Sequence, residues 1–424
     1  MANFKLNAIV GTSDNLDAVE AGREAATKSL GNEQNPKVAI VFSTIHYEKN
    51  LKKMLTEIKK IIDAPVVGCT GAAVLTPERV YARGVGVMCI FGDLDVGVGV
   101  GGGSRTNPVN AGRQAVKMAI EQLKDSKYKD KYGIAFPSGM KFPDIPGMKS
   151  MMKMGISKAM FPALSKFMAM KGTGPAKYEE VLQGMVDESK GKIPIFGGGA
   201  FDDFKGTRNF QFLNNNVYSD SVVFLLISSN VKSRTLYKHG LKPTGKKMEI
   251  TKASGSLAFE INGKPAWEGL KEVYGIPAEL ENQWKTNPVL MTIYEIPAEK
   301  DDKGNYWLVT PLCVIGDAIL FARNVEEKTL YLCRGKGEDI LKAAKDIAVT
   351  VAEEITPDFT IIFSPVPRVM AMMEKIDVER QYLREALGNS PFLGVYCCAS
   401  EIYVPEENLL KCLNETIGLA SFGK

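Results

Sequence analysis

Residues 6–71 read as strand, helix, strand, helix, strand, and the same order returns at 328–400. In the first run LNAIVGT, KVAIVFST and APVVGCTG are apolar strand-like segments, separated by helical periodicity over Asn15–Leu30 and Glu48–Ile62. In the second, KTLYLC, DFTIIFSP and SPFLGVYCCAS are separated by Glu338–Glu354 and Arg368–Leu387. Such βαβαβ runs join parallel strands through helical crossovers and gather polar loops at the strand C-termini. The expected fold is therefore mixed α/β, with two α/β domains (1–240 and 241–424) whose βαβαβ units are related by internal duplication. Two local matches support the repeat. Phe42-Ser43 and Phe363-Ser364 end the second strands, and Pro65 to Gly68 and Pro391 to Gly394 open the third strands as Pro-x-x-Gly. The duplication brings Ser43, Thr44, His46, Cys69 and Thr70 into one loop cluster, and Ser364, Arg368, Cys398 and Glu401 into the other.

A formal charge of +4 over 424 residues, with no block of like charges, gives no nucleic-acid footprint. The opening MANFKLNAIVGTSDNLD has no signal-peptide apolar region, and no run approaches the ~20 apolar residues of a spanning helix. A cytoplasmic location is expected. The seven cysteines are scattered and form no CxxC, against a disulfide framework or zinc ribbon. Only His46 and His239 are available for histidine chemistry.

Between the two runs, DVGVGVGGG alternates small and apolar residues as a closely packed sheet does. From Ile145 to Tyr178 no acidic residue occurs, while Met148, Met151, Met152, Met154, Met160, Met168 and Met170 accompany Phe161, Phe167 and several lysines. Pro162 divides this segment into two short helices, apolar on most faces. Three covers are open: packing as a lid on its own domain, a partner-protein groove, or a peripheral membrane contact aided by Lys149, Lys153, Lys158, Lys166 and Lys171.

KIPIFGGGAFDD (192–203) raises phosphate binding and then rejects it. It lacks the Gly-Lys-Ser/Thr of a phosphate loop, and Asp202 replaces the third glycine of a dinucleotide fingerprint. Asp202 and Asp203 are too few for a calcium or magnesium cage. A turn with close backbone approach fits best.

VVGCTGA (66–72), IFGGGAFDD (195–203), SVVFLLIS with KHG (221–240), MEITKASGSLAFEINGKPAWEGLKEVYG (248–275), IIFSPVPR (361–368) and CLNETIGL (412–419) together resemble, in order and spacing, the landmarks of the FIST sensory domain, N-terminal and C-terminal parts. The resemblance implies a non-enzymatic ligand-sensing module that binds a small molecule such as an amino acid and works with a separate signalling protein. Some members of the family are haem-binding nitric oxide sensors. On that footing no cofactor is expected, with haem as the alternative through His239 first and His46 second. The sequence departs from the family pattern where Pro365 takes a cysteine's place and Ser400 a glycine's, while Arg368, Glu401, Asn414 and Thr416 keep theirs.

Arg323 and Arg368 follow strand-like segments and are the candidates to clamp a ligand carboxylate bidentately, each with a salt bridge as its alternative role. Glu401 is the candidate for a ligand amino group, and Asn414 and Thr416 for neutral hydrogen bonds. Cys69, Thr70, Ser364 and Asp202 complete the ligand-site set from the loop clusters and the glycine turn; no metal site is expected. A cysteine enzyme using Cys69 or Cys398 with His46 or His239 remains a rival without a nucleophile–base signature.

Overall fold

Strand β1 (Leu6–Ser13) leads into helix α1 (Ala18–Leu30), whose start is fixed by Asp17: its carboxylate accepts from the Val19 and Glu20 amides at 2.8 and 3.0 Å. β2 (Val38–Thr44), α2 (Leu51–Ile61) and β3 (Val66–Gly71) follow, and then the short pair β4 (Val74–Leu75) and β5 (Val80–Tyr81) and strand β6 (Val85–Gly92). This is a computed structural model, and it describes residues 5–142, 157–287 and 289–424. β2 and β3 are parallel, as the crossover spacing predicts. β1 is not their direct neighbour, because β6 enters between β1 and β2, antiparallel to both.

The second unit comprises β7 (Leu94–Gly102), α3 (Pro108–Gln122), β8 (Asp130–Pro137), α4 (Phe161–Met170), α5 (Tyr178–Glu188), β9 (Ile195–Gly198), the hairpin β10 (Gln211–Leu213) and β11 (Asn216–Tyr218), and β12 (Ser221–Ser229). Along β7, Gly97, Gly99 and Gly101 allow α3 to lie directly on the sheet. A Cβ at these positions would meet the carbonyl oxygens of Ala119, Ala115 and Ala111 at 2.1, 2.0 and 1.8 Å. Pro162 lies in the first turn of α4, where its missing N–H costs nothing. Met148, Lys149, Met151, Met152, Lys153 and Met154 lie outside the described residues.

The third unit opens with β13 (Lys232–Lys238). The chain then leaves to build a separate sheet from β14 (Lys242–Ser254), β15 (Leu257–Ile261), β16 (Lys264–Pro265), β17 (Ile296–Lys300), β18 (Tyr306–Leu308), β19 (Pro311–Ile315), β20 (Ala318–Phe321) and β21 (Thr329–Arg334), with helix α6 (Ala266–Tyr274) on its own apolar core. It returns through α7 (Gly337–Glu354), β22 (Pro357–Pro365), α8 (Val366–Met372), α9 (Ile376–Leu387), β23 (Phe392–Cys397), the hairpin β24 (Ser400–Val404) and β25 (Leu409–Leu413), and β26 (Ile417–Gly423). KTLYLC, expected to start the second βαβαβ run, forms β21, which pairs with β14 and β17 in the separate sheet; β13 holds the expected place. The helix expected over Arg368–Leu387 breaks at Met373, whose φ is +54°.

The strand order β1–β6–β2–β3 recurs as β7–β12–β8–β9 and as β13–β26–β22–β23. Pro-x-x-Gly recurs with it, at Pro65 to Gly68, Pro194 to Gly197 and Pro391 to Gly394. In each case the glycine pairs with the residue before the second strand's phenylalanine: Val41, Ala135 and Ile362. Each third strand would leave an open edge, and a hairpin from another unit closes it. β10 pairs with β3, β24 with β9 and β4 with β23. Backbone bonds beyond the strands repeat this cycle: Phe201 N to Thr70 O, Cys398 N to Gly199 O and Ala72 N to Tyr396 O, each 2.9 Å.

One apolar core lies between the three sheets, with the helices outside. At its centre Phe42, Phe136 and Phe363 meet edge to face, with centroids 5.8 to 6.0 Å apart, and Phe196 adds to Phe363 at 5.2 Å. Such geometry places the ring edge of one against the face of the next. Truncating Phe363→Ala is expected to cost about 3–5 kcal/mol in urea unfolding, and Phe363→Leu markedly less. Equal losses would mean that the ring contacts contribute nothing specific.

Candidate functional site

Helix α5, β25, β17 and the turn after β20 bound a crevice of about 530 Å³. Arg323, in that turn, lies in its floor with only 6% of its surface exposed. Its Nη1 donates to Glu179 Oε1 at 3.2 Å, and its Nη2 is 3.1 Å from Glu299 Oε2. Glu179 belongs to the first turn of α5 and Glu299 to β17, so this one guanidinium ties the second unit to the separate sheet. Glu299 also receives Lys328 at 2.9 Å and Lys411 at 3.6 Å. Burial pushes its carboxyl up, but Arg323, Lys328 and Lys411 more than offset this and hold it below the usual carboxylate value. Glu179 further accepts from the Cys412 amide at 3.4 Å, and Glu180 accepts from Asn324 Nδ2 at 3.0 Å. Among the described residues Arg323 Nε has no hydrogen-bond partner, and Nη2 meets Glu299 as an ion pair without a hydrogen bond.

Under this crevice, on β24, lies Glu401. It stands opposite Gly197 on one side and Cys412 on the other. The matching positions of the other two hairpins hold Phe212, opposite Gly68, and Leu75, opposite Gly394. A carboxyl thus occupies a place that is elsewhere apolar. Among the described residues neither of its oxygens has a hydrogen-bond partner, and burial raises its pKa to about 8. Asn414 Oδ1 likewise has no hydrogen-bond partner among the described residues, while its amide lies 3.9 Å from Cys412 Sγ. Tyr178 and Cys398 are buried in one apolar cluster, and the Tyr178 hydroxyl finds no hydrogen-bond partner among the described residues.

Arg368 is placed differently. It is fully buried, donating from Nε to Ser364 Oγ and from Nη2 to the Ile340 carbonyl, each at 3.2 Å, and paired with Glu379. Tyr396 donates to the other Glu379 oxygen at 2.9 Å. Ser364 and Arg368 therefore come together as expected, within a buried network in which Arg368 Nη1 finds no hydrogen-bond partner among the described residues. Thr416 Oγ1 donates to the Asn414 carbonyl at 2.7 Å and shapes the turn into β26. Asp202 accepts from the amides of Gly206, Thr207 and Arg208 at 2.7, 2.8 and 3.1 Å, the turn role read from its glycine-rich setting. Thr70 Oγ1 accepts from the Phe210 amide at 3.0 Å, and Cys69 is buried in the central core.

His239 is half-buried, and loss of solvent around its ring depresses its pKa to about 4. Its Nδ1 accepts from the Leu241 amide at 2.9 Å, which occupies one of the two ring nitrogens an axial haem ligand could use. His46 is exposed, with Nδ1 3.3 Å from Thr44 Oγ1. Burial raises the thiols of Cys69, Cys397, Cys398 and Cys412 well away from the thiolate state a nucleophile needs. Among the described residues no group of His, Cys, Asp and Glu is arranged to hold a metal, and no helix is long and apolar enough to cross a membrane.

The model of the FIST N domain matches residues 37–264, and that of the FIST C domain matches 266–403. The chain belongs to the FIST family. FIST domains are in general sensory modules for small ligands. The Arg323–Glu179 pair therefore bridges the two FIST parts, since Glu179 lies in the first and Arg323 in the second. A curated relative, an uncharacterized protein MJ1623 of Methanocaldococcus jannaschii, is 30% identical over 249 residues, which is 53% of this chain and 45% of that protein. The chain thus spans less than half of that relative's length. A crystal structure of cyanuric acid hydrolase from A. caulinodans is 8% identical, covering 99% of this chain and 100% of its own, at a TM-score of 0.34. So loose a likeness bears on neither fold nor function.

Glu179, Glu299, Lys328 and Lys411 were not among the residues singled out from sequence. The one signal for Glu179 is that it ends the acid-free run closing at Tyr178.

Glu401 makes a pH prediction. Its folded pKa, about 8, lies above its ordinary value of 4.5, so the folded state holds the proton longer. Its contribution is present below pH 4.5 and is lost as pH rises toward 8, by at most about 1.4 kcal/mol per pH unit. Glu401→Gln is expected to gain stability relative to wild type between pH 5 and pH 8, read from urea midpoints at both. Glu415, buried and likewise raised to about 8, keeps a parallel slope in the variant. A constant difference between the two proteins would place Glu401 in contact with charge or water.

Proposed function

We propose that this FIST protein senses a small, amino-acid-like ligand whose carboxylate binds Arg323 in the crevice between α5 and β17, and that it signals through a separate protein. The observation that carries this reading is Arg323: a guanidinium buried in the floor of a crevice, with Nε unpartnered among the described residues and its two ion pairs running to Glu179 on α5 and Glu299 on β17. Three cations, Arg323, Lys328 and Lys411, meet four carboxylates in this crevice, Glu179, Glu180, Glu299 and Glu326, so an incoming carboxylate binds by displacing one of these. Glu299 stays paired with the two lysines when Arg323 turns to a ligand, whereas Glu179 keeps only its Cys412 amide bond of the contacts described above. Glu179 is therefore the carboxylate that a ligand displaces. Glu180, held by Asn324, lies in the same crevice and is the acceptor for the ligand's ammonium.

Displacing Glu179 releases the link between the two FIST parts, which is a change that a partner protein can read. The energy available is the difference between two Arg–carboxylate pairs in a partly desolvated site, and ligand-dependent stabilisation follows by linkage.

Thermal melting against a panel of free amino acids and short-chain acids is expected to give a saturable upward shift with at least one amino acid. Arg323→Lys should weaken that binding about tenfold, or ~1.4 kcal/mol, by losing the fork. Glu179→Gln should strengthen it, because the competing charge is gone. A panel without any shift, or two variants that weaken binding alike, would count against the proposal.

A further inference from the structure

Helix α4 lies on the separate sheet by one edge only. Phe161 is buried with Leu257, Ala318 and Leu320, and its ring meets Phe259 edge to face at 6.5 Å. At helical spacing Leu164, Ser165 and Met168 share this inner side, and all three are half-buried. The opposite side carries Ala163, Phe167 and Met170, spaced i, i+4 and i+7. Phe167 is 52% exposed and Met170 63%, and Met160 just before the helix is 65% exposed. Lys166 and Lys171 stand on the two borders of this outward stripe, the Lys171 ammonium 5.8 Å from the Phe167 ring.

From Ser157 to Tyr178 there are four lysines, Lys158, Lys166, Lys171 and Lys177, and no acidic residue. Lys158 pairs with Glu327 at 3.1 Å, on the neighbouring turn. An apolar stripe edged by lysines is the pattern of a helix lying in a membrane interface. Its apolar side chains enter the headgroup boundary, while the lysine stems lie along them and deliver ammonium groups to lipid phosphates. We propose that α4 docks the protein peripherally on an anionic lipid surface through Phe167, Met170 and Met160, with Lys166 and Lys171 at the headgroups.

A second copy is the poorer occupant. A two-fold contact through this stripe would bring the lysines of both copies together with no carboxylate between Ser157 and Tyr178 to answer them. An anionic membrane answers them directly. The stripe is short, so binding is reversible and falls with ionic strength.

The test uses the full chain and sedimentation with vesicles of phosphatidylcholine, either alone or with roughly one third phosphatidylserine. Binding to the anionic vesicles, at least tenfold above that to neutral ones and lost in high salt, is expected. Phe167→Ser with Met170→Ser, at exposed positions, should leave the melting temperature unchanged and abolish binding, and Lys166→Glu with Lys171→Glu should do the same. Equal binding by the serine variant, or no binding by the wild type, overturns the proposal. So does a wild-type dimer in analytical ultracentrifugation that the serine variant loses, since a second copy would then cover the stripe.

Discussion

Every third strand in this protein ends at an edge that its own unit does not close. β3, β9 and β23 each take a hairpin from another unit: β10 on β3, β24 on β9 and β4 on β23. An unpaired edge invites wrong partners, and the exchange removes it at all three places. The rest follows from this. The three sheets are held face to face, their second strands bring Phe42, Phe136 and Phe363 into one contact, and glycines at Pro-x-x-Gly give the backbones room to approach. Because the bonds form a cycle, no unit can be removed without opening two edges.

The cycle also fixes where chemistry is placed. β24 reaches β9 from the third unit, which brings Glu401 beneath α5 of the second. The separate sheet, leaving from β13, folds back so that Arg323 and Glu299 meet Glu179. A polar seam buried between pieces of distant sequence is costly, and it is retained where its groups have work to do. Arg368 has the same chemistry but is enclosed by Ser364, Glu379 and the Ile340 carbonyl, which makes it a brace for α8 and β22. Access, not residue type, separates the two arginines: Arg323 lines a crevice, whereas Arg368 is 1% exposed inside its network.

Strands and helices of the βαβ runs were legible because apolar spacing and the Pro-x-x-Gly openings are local signals. What the sequence hid is non-local. Nothing in LNAIVGT tells that β6, some 75 residues on, slides between β1 and β2. KTLYLC has the right composition for the third unit, but sheet membership is decided by pairing with β14 and β17. The second unit escaped notice as a third example because Gly198-Gly199 follow its Pro-x-x-Gly where the other two have Cys69-Thr70 and Val395-Tyr396. Arg323 could be suspected from its place after a strand. Its partner Glu179, 144 positions away, could not.

The most direct test is hydrogen exchange of the full chain with and without an equimolar mixture of common amino acids. The account predicts that altered protection is confined to the first turn of α5, the turn carrying Arg323 and Asn324, and β25 around Lys411. Unchanged exchange there, or altered protection centred on the loops around His46 or Arg368 instead, would contradict the seat of the ligand proposed here.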